Sequence, residues 1–140
     1  MNEYTLQLPI KKKWFDMIAS GEKKEEYREI KFHWVTRMYE MVKDFIIPHA
    51  MYKASGLREA FHFCLGYKKS RPAAMEFLFA KECIKLKNIK YVVFTNGYGS
   101  KAPAIRMECL GVEIGLAKPE WSDNWQGRCF VIKLGERVGY

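Results

Sequence analysis

The apolar residues of this chain change their spacing partway along it, and that change narrows the fold more than any single motif. From residue 33 to residue 83 they recur at i, i+3 and i+4, the period of one helix face. Trp34, Met38, Met41, Val42 and Phe45 predict a helix from His33 to about Phe45, broken by Pro48. Leu57, Ala60, Phe61 and Cys64 predict a second from Gly56 to Leu65, ended by Gly66. Met75, Leu78 and Phe79 predict a third with Pro72 in its first turn. The methionines and aromatics of these stripes read as core packing. From Ile89 the period drops to two. Tyr91 to Phe94 is a β-branched and aromatic run ending at the Asn96-Gly-Tyr-Gly99 turn. Ile105, Met107 and Cys109 alternate, and Val112 and Ile114 resume after Gly111, which reads as a bulge. Arg128 to Leu134 closes the series after a polar loop at Leu116–Gly127. Segregated helices and strands predict an α+β fold with a small sheet that can close on itself. At 140 residues the chain suits a single domain over 1–140.

The N-terminal part supplies one more strand–helix–strand unit. Leu6 and Leu8 share a face of a strand over Tyr4–Pro9, which Pro9 ends. Lys11 to Ser20 reads as a helix with Trp14, Met17 and Ile18 inward and Lys11, Lys12, Lys13 and Asp16 outward. Gly21 then stands where a helix stops in the left-handed conformation. Three lysines at a helix start oppose its dipole, which makes sense if their charge has another use.

Formal net charge is +8, with 13 Lys/Arg against 9 Asp/Glu in residues 1–70 and 11 against 7 in residues 71–140. The excess is spread evenly, so any basic patch must be assembled by the fold. Such a surface either attracts polyanions, nucleic acid first, or merely keeps the protein soluble. No apolar run approaches the ~20 residues that span a bilayer, and the opening Met-Asn-Glu-Tyr has no signal-peptide character. A cytoplasmic protein without membrane contact is expected. Cys64, Cys83, Cys109 and Cys129 form no Cys-x-x-Cys pair, and His33, His49 and His62 fit no zinc spacing. Neither a metal site nor a cofactor is expected, and reduced thiols suit the cytoplasm.

Chemistry concentrates immediately after the helix stop. Gly21-Glu-Lys23-Lys-Glu-Glu26-Tyr-Arg28 opens an extended segment, Glu25 to Ile30, in which Glu26 and Arg28 point to one face and Glu25, Tyr27 and Glu29 to the other. Such a strand is either a solvated charged edge or the wall of a cleft where the charges meet each other and a ligand. Lys23 can serve as base or nucleophile when desolvated. Glu26 can act as acid or base, or accept base-edge N–H groups. Arg28 can bind phosphate or clamp Glu26 bidentately.

The pattern Gly-x-Lys-x-x-Glu-x-Arg resembles the signature of the ASCH domain, a small relative of the PUA β-barrel. Leu8 to Ser20 resembles the helix that leads into it. Phe94 to Gly99, Ala102-Pro103, Glu108 to Gly111 and Phe130 to Gly135 resemble later strands of stand-alone bacterial and phage members. The likeness covers roughly residues 4–32 and 88–136. It implies a small PUA-like β-barrel with flanking helices, a helical insertion at about 33–87, and a cleft beside the signature that takes RNA or nucleotides. Two hydrolytic activities occur among small members, ribonuclease action and amide hydrolysis of N4-acetylcytidine. The amidohydrolase branch uses a Lys in this turn, a Thr three residues later and a distant Glu. Lys23 matches the Lys, Glu26 stands where that branch has Thr, and Glu120 is the candidate for the distant Glu.

The residues themselves fit a single-stranded RNA or modified-nucleotide partner. Lys11, Lys12, Lys13, Lys23, Lys24 and Arg28 lie on or beside one helix–turn–strand unit and could form a phosphate-binding patch. Tyr98, Trp121 and Trp125 sit in loops, where rings either stack on unpaired bases or pack the loop down. Asn96 and Lys101 flank the Gly-rich turn and either line the same cleft or only make the turn. Three readings follow: an RNA- or nucleotide-binding module using Lys23, Glu26 and Arg28; an RNA-directed hydrolase with those residues as catalytic groups; and a protein-interaction domain acting through the block at 33–87. The sequence leaves the oligomeric state open.

Overall fold

The computed structural model describes residues 2–47, 52–54, 56–123 and 127–139; Pro48, His49 and Trp125 lie outside them. The fold is α+β, with four α-helices among the described residues and a curled five-stranded half-barrel. The chain divides into two compact units: one is formed by Met1–Arg28 together with Asn88–Tyr140, the other by Glu29–Lys87.

The first unit holds β1 (Tyr4–Ile10), α1 (Lys12–Ala19), β2 (Glu25–Arg28), β7 (Ile89–Asn96), β8 (Ala104–Gly115) and β9 (Cys129–Gly139). Its sheet runs β1-β7-β8-β9-β2, parallel between β1 and β7 and antiparallel elsewhere. Alternation places Leu6, Leu8 and Ile10 inside, against Val92, Phe94, Ile105, Met107, Phe130 and Ile132, with Trp14, Phe15 and Ile18 of α1 also buried. Pro9 does not end the first strand, which runs on through Ile10. β1 is an edge strand, where proline's missing N–H is tolerated. The bulge is present at Gly111, where the β8–β9 register shifts.

From Cys129 to Ile132 every residue of β9 is buried, so this stretch is covered on both faces. Tyr27, Cys129 and Val131 form a small cluster on which Ala117 and Trp121 pack. The segment around the 3-10 turn Pro119–Trp121 therefore covers the part of the sheet that β2 joins.

The second unit holds α2 (Phe32–Met38), β3 (Tyr39–Met41), β4 (Phe45–Ile47), β5 (Tyr52–Ala54), α3 (Leu57–Lys68), α4 (Arg71–Ala80) and β6 (Ile84–Leu86). β3 pairs with β6 and β4 with β5, so the block is not purely helical. The predicted helix to Phe45 stops at Met38 because Tyr39–Met41 finds a ladder partner in Ile84–Leu86. Met38, Phe61, Cys64, Met75 and Leu78 lie in its interior, as the stripes predict; Val35, outside the predicted stripe, is buried with them, whereas Val42 and Phe79 are exposed. α4 begins as expected, with Pro72 in its first turn and the Ser70 hydroxyl accepting from Ala73 N–H.

Gly66 does not end α3, which continues to Lys68 and stops at Lys69, where φ is +60°. A β-carbon at Gly66 would meet nothing within 4 Å. Gly66→Ala should therefore stabilise the protein by about 0.5–1 kcal/mol, the helical penalty of glycine, read as a higher denaturation midpoint. Among the described residues no helix is long and apolar enough to cross a membrane.

Candidate functional site

Gly21 sets the position of Lys23. With φ at +87° it turns the chain out of α1, and the Lys23 amide donates back to the Met17 carbonyl at 2.9 Å. This directs the Lys23 side chain inward. It has no exposed surface. Its Nζ donates to the Trp121 carbonyl at 2.7 Å, lies 3.2 Å from Glu26 Oε1, and faces the rings of Tyr27 at 4.6 Å and Trp14 at 5.2 Å.

Three residues on, β2 pairs with β9 in a register that puts Glu26 opposite Ile132 and Arg28 opposite Phe130. Glu26 and Arg28 share one face, as alternation predicts. Arg28 Nη1 lies 2.8 Å from Glu26 Oε2, and Nη2 donates to the Pro9 carbonyl at 3.0 Å. One carboxylate thus sits between two cations, and the triad carries a formal charge of +1. The side chains of Lys23, Glu26 and Arg28 are 0%, 6% and 18% exposed, so the strand is a cleft wall and not a solvated edge. Burial lowers the pKa of the Lys23 ammonium; Glu26 opposes that shift and the nearby Arg28 adds to it, and the net value lies below the ordinary one.

The other face of β2 carries its own network. Tyr27 donates to Glu25 Oε1 at 2.7 Å, and its oxygen accepts from the Lys118 amide at 3.2 Å. Glu25 Oε2 is paired with Lys133, which also reaches Glu113 at 3.3 Å. Burial alone would raise the Glu25 carboxyl, but Lys133 and Tyr27 together hold it below the usual range. Burial pushes the Tyr27 phenol well above its ordinary value. These contacts dock the segment around Lys118 onto the strand.

The third wall comes from Asp123, whose Oδ2 accepts from Lys11 Nζ at 3.0 Å and Trp14 Nε1 at 3.2 Å. Those two donors hold its carboxyl below the ordinary aspartate value. Together α1, the ends of β1, β2 and β7, and the 119–123 segment enclose a cleft of about 540 Å³. Its size lies within the usual range for small-molecule sites, about 300–1,000 Å³. The cleft occupies the seam of the half-barrel. β1 and β2 are the two outermost strands of the sheet, and Arg28 reaches across from one to the other.

Several predicted residues meet here. Lys11, Glu26, Arg28, Asn96, Tyr98 and Trp121 line the cleft, and Lys23 supports Glu26 from beneath. Tyr98 stands 90% exposed at the tip of the Asn96–Gly99 turn. Lys12, Lys13, Lys24, Lys101 and Glu120 are exposed and do not line it. Lys11 and Lys12 each sit on an aspartate, Asp123 and Asp16, and Lys13 lies 4.5 Å from the Trp14 ring centroid. Trp14, Ser122 and Asp123 are cleft residues that sequence reasoning missed. Trp14 reads as core from its helical spacing. Asp123 had a signal, an acid two residues after Trp121 in the same polar loop as Glu120.

Among the described residues no group of three or more His, Cys, Asp or Glu could hold a metal ion. The four cysteines are free thiols, and burial raises all of them, Cys64 and Cys129 to about 11. They stay protonated at neutral pH. No protein-family model matches this chain, and neither does any curated protein or solved structure.

Proposed function

We propose that the seam cleft binds single-stranded RNA or a modified nucleotide, with Arg28 receiving a phosphate or a base edge. The observation that carries this reading is the state of Arg28. Its guanidinium is held from behind by Glu26 and Pro9, yet part of it stays open to a cleft of nucleotide size. A cation fixed before the ligand arrives loses little freedom on binding. The surroundings fit the same ligand. Trp121 and the exposed Tyr98 offer ring surface, and Asn96 offers both a donor and an acceptor. The likeness of Gly21–Arg28 to the ASCH signature points the same way, and four free thiols suit a cytoplasmic setting. Lys23 acts here as a positioning residue, since its ammonium is covered and engaged with Trp121 and Glu26.

The test is fluorescence anisotropy with a labelled single-stranded RNA at two salt concentrations, and N4-acetylcytidine monophosphate as competitor. Arg28→Ala should weaken binding about 10- to 150-fold, the range of a charge-assisted contact, and Arg28→Lys should restore only part of it. Equal affinity in Arg28→Ala would sink the site. RNA cut by the parent protein and left whole by Arg28→Ala would favour the hydrolase reading instead.

A further inference from the structure

In the first unit Lys11, Lys12, Lys90 and Lys133 each sit on a carboxylate, whereas Lys13, Lys24 and Lys101 form no ion pair among the described residues. The second unit carries the larger net positive charge. Residues 29–87 carry 11 Lys/Arg against 6 Asp/Glu. Its α3–α4 hairpin turns through Tyr67-Lys-Lys-Ser-Arg71, and residues 57–81 hold five cations against two carboxylates, Glu59 and Glu76. Arg71 pairs with Glu29 at 3.0 Å. Among the described residues Lys68, Lys69 and Lys81 form no ion pair.

Aromatic rings stand where carboxylates would otherwise be. Lys68 Nζ lies 5.1 Å from the Tyr67 ring and 4.7 Å from Phe77, and Lys81 Nζ lies 5.4 Å from Phe77. Tyr67 is 66% exposed, with its ring 6.0 Å from that of Phe77. An open ring backed by a second ring and edged by unpaired ammonium groups can stack a base and hold the phosphates on either side of it. An apolar peptide would leave those charges unmet, so charge complementarity selects a polyanion.

We propose that the face of the α3–α4 hairpin around Tyr67 and Phe77 is a second contact surface for single-stranded polynucleotide. Tyr67 stacks on an unpaired base, and Lys68, Lys69 and Lys81 hold the phosphates. This rests on the reading of the ligand as a polynucleotide and is independent of the cleft.

The experiment is anisotropy of a labelled 20-nucleotide oligouridylate on the full chain, across a salt series, with circular dichroism to verify each variant's fold. Tyr67→Ala should weaken binding about 5- to 150-fold, and Tyr67→Phe should restore it. Lys68→Ala/Lys81→Ala should flatten the slope of log K against log salt by about 1.4, two single-strand phosphate contacts. Affinity and slope unchanged in these variants would overturn the surface, whatever Arg28→Ala does. Weakening by Tyr67→Ala with none by Arg28→Ala would keep the surface and remove the cleft reading. If the parent protein binds no RNA, both fall. If Tyr67→Ala dissolves a self-association seen in sedimentation but leaves RNA binding intact, the surface is a contact between copies and the proposal fails.

Discussion

Glu26→Ala should cost about 3–5 kcal/mol of stability at pH 7, the range found when one partner of a buried ion pair is removed. Among the described residues the carboxylate is the only anion within ion-pair distance of the Lys23 ammonium, which has no exposed surface. Arg28 can recover by turning to the water of the cleft, but Lys23 cannot. The loss should also depend on pH. Lys23 already has a pKa below its ordinary value. The native state therefore sheds that proton before the unfolded state does, and stability from this group rises with pH up to the ordinary lysine range. Removing Glu26 takes away the influence that opposes burial, so the folded pKa falls further and the rise begins at lower pH. The deficit of Glu26→Ala should thus shrink between pH 7 and pH 10. Urea denaturation at three pH values measures it. A deficit that is constant or grows with pH would mean that Lys23 is not buried as an ammonium.

Lys23→Met should cost nearly as much, about 3 kcal/mol, but with a different signature. Methionine fills the volume between Trp14 and Tyr27, so packing is largely kept. What is lost is the donor to the Trp121 carbonyl and one of the two cations on Glu26. The first loss loosens the 119–123 segment, and amide exchange there should quicken while the β7–β8 ladder stays protected. The double variant Lys23→Met/Glu26→Ala should be less destabilised than the sum of the singles, because the charge that each single variant strands is gone. Additive losses would show that the two residues do not form a coupled pair.

Much of this site is legible in the sequence, and the remainder is hidden for identifiable reasons. Gly21 announces the helix stop, and alternation alone divides Glu26 and Arg28 from Glu25 and Tyr27. Local rules do not show that the strand is buried. Its cover comes from Ala117 and Trp121, about ninety residues away, and Trp121 meets Lys23 through a backbone carbonyl that leaves no trace in residue type. The Lys11–Asp123 pair spans 112 positions, so Lys11 reads as free charge until the fold supplies the aspartate. The second unit's strands were hidden for a related reason. Tyr39–Met41 continues a helical stripe, and only the arrival of Ile84–Leu86 gives it a better partner. The ASCH likeness bears on residues 4–32 and 88–136 and carries no expectation for the Tyr67 surface.

The parallel pairing of β1 with β7 also bears on synthesis. Residues 1–28 leave the ribosome first, yet their strand partners, β7 for β1 and β9 for β2, come only after residue 88. Translation from Arg28 to the middle of β9 takes about 5–20 s at ordinary elongation rates. The intervening segment, residues 29–87, is contiguous and can close its own contacts during that interval. A nascent chain in which that segment has closed still leaves Leu6, Leu8 and Trp14 exposed. That interval is when a chaperone would find this protein.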